Sequence, residues 1–141
     1  MDKRIVPNEI ILEDVAALAA EGREVTIKPL GNSMLPFIRG GKDNVRLQKK
    51  PGVAVGDIIL VRLPGPRYVL HRLIRKEGDR LTLMGDGNIS GTESCREEDV
   101  LGTVVAIERG RRVIVPGNGL WWKRLHPVRR YILAIYRRLF I

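Results

Sequence analysis

The sequence has little cysteine and few aromatic residues, and both shortages exclude classes of protein. Cys95 is the only cysteine among 141 residues, so no intramolecular disulfide can form and the Cys/His spacing of a structural zinc site is absent. Aromatic residues make up 5% of the chain, which argues against a nucleic-acid surface built on base stacking. We therefore expect one domain stabilised by packing, with no metal and no cofactor.

Long apolar runs are also missing. No uninterrupted apolar stretch approaches the roughly 20 residues that a membrane-spanning helix requires. Residues 9–21 show helical periodicity and predict a short helix. That segment carries Glu9, Glu13, Asp14 and Glu21, which excludes the apolar core of a signal peptide. With a single cysteine and no signal peptide, we expect a cytoplasmic protein.

Acidic residues are absent from the C-terminal segment. The formal net charge is +9, and residues 120–141 hold six Lys/Arg and no Asp/Glu, which leaves 19 basic and 16 acidic residues in positions 1–119. At 100° per residue this segment forms a basic amphipathic helix that either contacts an anionic membrane peripherally or packs on the sheet or a partner chain. Its predicted apolar face comprises Trp122, Leu125, Val128, Ile132, Ile135, Leu139 and Phe140, opposite Lys123, His126, Arg129, Arg130, Arg137 and Arg138.

Between these two segments the sequence alternates apolar and polar residues in short runs bounded by Gly, Pro or Asp. This pattern predicts a mainly β domain over residues 1–119, with an antiparallel coiled or barrel-like sheet. The predicted strands are Val25 to Ile27, Val45 to Leu47, Ile58 to Val61, Tyr68 to Arg75, Arg80 to Met84, Thr103 to Glu108 and Arg111 to Val115.

Three stretches contain side chains suited to hydrolytic chemistry. Ser33 follows a predicted strand, and a serine hydroxyl needs a nearby base to become a nucleophile. His71 lies inside a predicted strand and titrates near neutrality, as a general base should. Asp86 lies in a Gly-rich turn and could orient His71. Each residue also has an ordinary structural explanation, as a turn residue or a strand histidine.

The order of these stretches resembles the signal-peptidase and LexA-like serine peptidases. The matching elements span residues 25 to 110 and are Ser33-Met34-x-Pro36, Gly56-Asp57-Ile58-Ile59, His71-Arg72, Gly85-Asp86-x-Asn88 and Gly102. Bacterial members use lysine as the base, whereas the endoplasmic-reticulum and archaeal branch has histidine in that position. The resemblance therefore implies a peptidase-type sheet and a serine endopeptidase that removes a leader or pro-segment, with Ser33 as nucleophile and His71 as base.

The third catalytic residue stays open: it is Asp86, Glu93 or absent. The resemblance favours Asp86, but the histidine branch has a second acidic residue further along, where this chain has Thr92 with Glu93 beside it. This departure, and the lack of the family's N-terminal membrane helix, motivate an alternative: a non-catalytic module that binds a peptide or a membrane on the same fold. In either case we expect a protein or peptide partner rather than nucleic acid.

Overall fold

A computed structural model describes residues 3–5, 17, 20–29, 31, 33–65, 67–87, 91–117 and 129–140. Within these residues the protein is mainly β, with nine strands in one sheet followed by a helix, α1 (Arg129–Phe140). The helix predicted over residues 9–21 lies largely outside the described residues, although Ala17 and Ala20 are helical and exposed. The strands are β1 (Lys3–Ile5), β2 (Val25–Lys28), β3 (Asn44–Gln48), β4 (Ile58–Leu63), β5 (Arg67–Glu77), β6 (Arg80–Met84), β7 (Glu93–Arg96), β8 (Val100–Arg109) and β9 (Arg112–Ile114).

The sheet has the order β1-β2-β3-β8-β4-β5-β6-β7, and β9 pairs with β8 as a hairpin. Every described pair is antiparallel except β1 with β2, which is parallel. The prediction of a mainly β, largely antiparallel sheet is therefore confirmed. Two of the strands, β1 and β7, were not predicted.

Strand β4 lies inside the sheet and is buried on both faces. Its residues alternate between two apolar clusters, because successive side chains of a strand point to opposite faces. Ile58 and Leu60 belong to one cluster, with β2, β3 and part of β8. Ile59 and Val61 belong to the other, with β5, β6 and β7. This two-sided burial explains why the run from Ile58 to Val61 is continuously apolar rather than alternating.

Helix α1 packs on the protein body through Leu133, which is 1% exposed and contacts the equally buried Leu35. The buried residue of this contact lies outside the predicted apolar face. Leu133 was not assigned to it, whereas Ile135 and Leu139, which were, are 60% and 68% exposed. The contact with Leu35 selects the inner face of the helix, and a helical projection alone cannot supply that information.

Within the described residues, no helix combines the length and apolar character needed to cross a membrane.

Candidate active site

Ser33 lies in a closed loop between β2 and β3. The N–H of Gly41 donates a hydrogen bond of 2.7 Å to the carbonyl of Pro29, which ties the two ends of the loop together. Gly40 packs so closely on Gly31 that a Cβ at position 40 would lie 1.7 Å from the Gly31 carbonyl oxygen. Only glycine fits there. The loop therefore holds Ser33, which is half-buried, in a defined position.

Further backbone hydrogen bonds fix the Ser33 loop. The carbonyl of Met34 accepts hydrogen bonds of 3.0 Å from the N–H groups of Phe37 and Ile38. The carbonyl of Ser33 itself accepts a 2.7 Å hydrogen bond from the N–H of Gly87. Ser33 is thus attached to the Gly-rich turn after β6, which is the turn that the sequence analysis singled out.

Ser33 and His71 line the same cavity, which has a volume of about 140 Å³. One wall comes from the Ser33 loop between Pro29 and Gly40, and the other from residues 68–71 of β5. His71 is held in register by pairing with Ile59 of β4 and is 7% exposed. The fold therefore brings the predicted nucleophile and the predicted base to one cleft from positions 38 residues apart in the sequence.

The carboxylate of Glu93 contacts the imidazole of His71, Oε1 against Nδ1, and both atoms are buried from solvent. Burial lowers the pKa of His71 below its usual range, and the negative charge of Glu93 opposes that shift. A lowered pKa keeps the imidazole neutral at physiological pH, which is the form that can accept a proton. Because Nδ1 of His71 contacts Glu93, the other ring nitrogen, Nε2, is the one available for proton transfer.

Asp86 has a different partner from the one predicted. Both of its carboxylate oxygens accept hydrogen bonds from Arg72, with Nε at 2.9 and 3.1 Å and Nη2 at 2.7 Å. Asp86 and Arg72 are 2% and 4% exposed, so this is a buried bidentate ion pair. Asp86 acts on His71 only as a nearby charge that raises its pKa, with a smaller effect than Glu93. Of the two carboxylates left open by the sequence, Glu93 is the one in contact with His71 Nδ1.

Arg72 contacts several separate segments of the chain behind the cleft. Its Nη1 donates to the carbonyls of Gly56 at 2.8 Å and Gly117 at 2.7 Å, and its guanidinium lies 5.2 Å from the centre of the Phe37 ring. Together with the Asp86 pair, these contacts connect β5 to the turn after β6 and to the Ser33 loop. Arg72 therefore positions the segments that carry the candidate catalytic groups.

A second buried carboxylate supports the far end of the Ser33 loop. Asp43 is fully buried and accepts hydrogen bonds from Arg39 and Arg109, and Arg109 also donates to the carbonyl of Phe37 at 3.0 Å. Burial alone would raise the pKa of Asp43, but the hydrogen bonds from Arg109 and Arg39 outweigh it and hold that pKa below its usual range. The far end of the loop is thus anchored by charge.

The arrangement has the groups that acyl transfer by a serine uses: a serine and a buried histidine line one cleft, and a carboxylate contacts one ring nitrogen of that histidine. The role of Arg72 was not predicted from the sequence. The available signal was a charged residue in a run from Val69 to Ile74 that is apolar apart from His71 and Arg72, since a buried arginine requires a partner.

A comparison of the sequence with models of known protein families finds no match, and a comparison with curated proteins finds no relative.

Proposed function

We propose that this protein is a serine endopeptidase of the signal-peptidase type, which cleaves a leader or pro-segment from a protein substrate. The observation that carries the proposal is the shared cleft of Ser33 and His71, with Glu93 in contact with Nδ1 of the imidazole. Neither the serine nor the histidine alone would support it. If the serine had only a structural role in its turn and the histidine only a structural role in its strand, the two residues would not need to line the same cleft.

In the proposed reaction, the Ser33 hydroxyl attacks the scissile carbonyl while His71 takes its proton. A tetrahedral intermediate forms and then collapses: the peptide C–N bond breaks, and the protonated His71 gives the proton to the leaving amine. Water then hydrolyses the acyl-enzyme by the same exchange of protons. Glu93 stabilises the imidazolium that forms in both halves, because its charge contacts Nδ1.

The sheet offers a place for an extended substrate. In the described part of the chain, β6 pairs with β5 from Arg72 onward, whereas the strand pairing of residues 69–71 is with β4. Residues 69–71 also line the cavity that contains Ser33. A peptide in an extended conformation can add to a sheet edge through main-chain hydrogen bonds. This favours a peptide substrate over a small molecule.

The proposal is tested by incubating the full chain with a proteome-derived peptide library and identifying cleavage products by mass spectrometry. Cleavage should fall by at least about 10³-fold in Ser33→Ala and in His71→Ala, since removing one member of a catalytic pair disables the pair. Ser94→Ala, an exposed serine on β7, is the matched control and should cleave normally. Unchanged cleavage by Ser33→Ala excludes Ser33 as the nucleophile. Peptide binding without any cleavage by the unmodified chain indicates the non-catalytic binding module instead.

A further inference from the structure

The outer face of α1 carries an exposed apolar stripe. Tyr131, Ile135 and Leu139 are 63%, 60% and 68% exposed, and their spacing of four residues places them in one row along the helix. Leu133, on the inner face, is buried against Leu35. The helix is therefore fixed to the body on one side while it presents three large apolar side chains to solvent on another.

A row of basic side chains borders this stripe. Arg130 and Arg138 are exposed and occupy the adjacent row of the helix, with the small residue Ala134 between them. The guanidinium of Arg130 lies 5.8 Å from the centre of the Tyr131 ring, so the two rows are in contact. Residues 120–141 contain no Asp or Glu, so no acidic side chain of that segment offsets the basic row.

We propose that the outer face of α1, defined by Tyr131, Ile135 and Leu139 with Arg130 and Arg138, is a docking surface for an anionic lipid membrane. The charge of the face complements phosphate-bearing headgroups, and the apolar stripe matches the boundary between headgroups and acyl chains. A helix lying in that plane needs this combination of a basic row beside an apolar row. Leu133 keeps its inner contact, so the helix can dock without leaving the body of the protein.

Docking at this face has a consequence for the cleft. The inner face of α1 packs on Leu35, two residues after Ser33, so a membrane bound to the outer face lies on the far side of the helix from the Ser33 loop. The Ser33 loop would then lie one helix diameter, about 10 Å, from the lipid surface. The membrane contact itself is independent of the proposed peptidase activity, and its test uses no cleavage.

The test is co-sedimentation of the full chain with vesicles of phosphatidylcholine containing phosphatidylglycerol, compared with vesicles of phosphatidylcholine alone. We expect binding to the anionic vesicles that weakens as salt is added, and little binding to the neutral ones. Replacing Ile135→Ser together with Leu139→Ser should reduce the partition coefficient by about tenfold or more, because both side chains lose apolar area to bury. The control is the double substitution Val113→Ser with Val115→Ser. These two side chains are exposed to a similar extent as Ile135 and Leu139 but lie on and beside β9, so vesicle binding should persist.

A second pair of variants tests the charges. Each of the substitutions Arg130→Gln and Arg138→Gln should reduce binding to anionic vesicles about fivefold. The control is the double substitution Arg111→Gln with Arg112→Gln, at exposed positions of the hairpin of β8 and β9, which should keep most of the vesicle binding. These surface positions keep the test available if the apolar pair disturbs folding, which a denaturation midpoint would reveal. Equal loss in the test and control pairs overturns the proposal. So does equal binding to neutral vesicles, or a concentration-dependent dimer that the stripe variants abolish without any vesicle binding.

Discussion

Replacing Arg72 with methionine should destabilise the protein more than any other single substitution of a charged residue on β5. Methionine preserves much of the side-chain volume but removes the charge and every donor. The change leaves the Asp86 carboxylate without three hydrogen bonds in a site where that residue is 2% exposed. It also removes the donors to the carbonyls of Gly56 and Gly117.

The magnitude follows from what remains after the substitution. Breaking a buried ion pair by removing one partner costs about 3–5 kcal/mol, because the other charge stays buried without compensation. The matched control is Arg75→Met on the same strand, whose side chain is 70% exposed and pairs with Glu77. Exposed ion pairs contribute about 0–1 kcal/mol, so the control should unfold near the wild-type midpoint.

Urea denaturation of the two variants and of the double variant Arg72→Met with Asp86→Leu measures the effect. The double variant should recover much of the loss, since it removes both charges rather than one. The double variant should nevertheless cleave poorly, because the Arg72–Asp86 pair positions the turn that holds Ser33 through the N–H of Gly87. A cost below about 1 kcal/mol for Arg72→Met, or no recovery in the double variant, would refute this account of the buried pair.

Three further predictions concern α1, the cysteine and the base. Leu133→Ala should cost about 2–4 kcal/mol in thermal or urea unfolding, whereas Ile135→Ala on the exposed face should cost under about 0.5 kcal/mol; similar costs would contradict the packing of α1. Burial raises the pKa of Cys95 to about 11, so a disulfide reagent at pH 8 should label this thiol only after denaturation, and rapid labelling of the native protein would contradict its burial. Burial lowers the pKa of His71, so cleavage should fall as the pH drops through this lowered pKa and the imidazole becomes protonated. Because Glu93 opposes the shift, Glu93→Gln should move the pH at which cleavage falls to a still lower value. A move to higher pH would contradict the contact between Glu93 and His71.

The sheet was predictable where apolar residues repeat. The runs in β2 to β6 and β8 contain alternating or continuous Val, Ile and Leu, which the clusters on the two faces of the sheet require. Strand β7, with the sequence Glu-Ser-Cys-Arg, contains one buried residue, Cys95, and has no such signal. Strand β7 forms because its backbone pairs with β6. Such pairing does not require an apolar pattern in the strand itself, so a short polar run gives no signal of it.

The candidate site was predictable in its central pair and not in its carboxylates. Ser33 and His71 were found from the order of motifs, and the fold places them at one cleft. Asp86 and Glu93 could not be distinguished, because the choice depends on which side of β5 each carboxylate meets. Arg72 follows His71 directly, so its side chain points to the opposite face of the strand, and there it pairs with Asp86. His71 instead contacts Glu93 on β7, one of the two strands that were not predicted from the sequence.

The most direct test of the central claim is covalent labelling of the full chain with a serine-reactive phosphonate probe, followed by peptide mass spectrometry. An activated serine should form a phosphonyl adduct at Ser33, and labelling should fall steeply in His71→Ala and persist in Ser94→Ala. No adduct at Ser33, or an adduct that forms as fast without His71, would contradict the assignment of this cleft as a serine peptidase site.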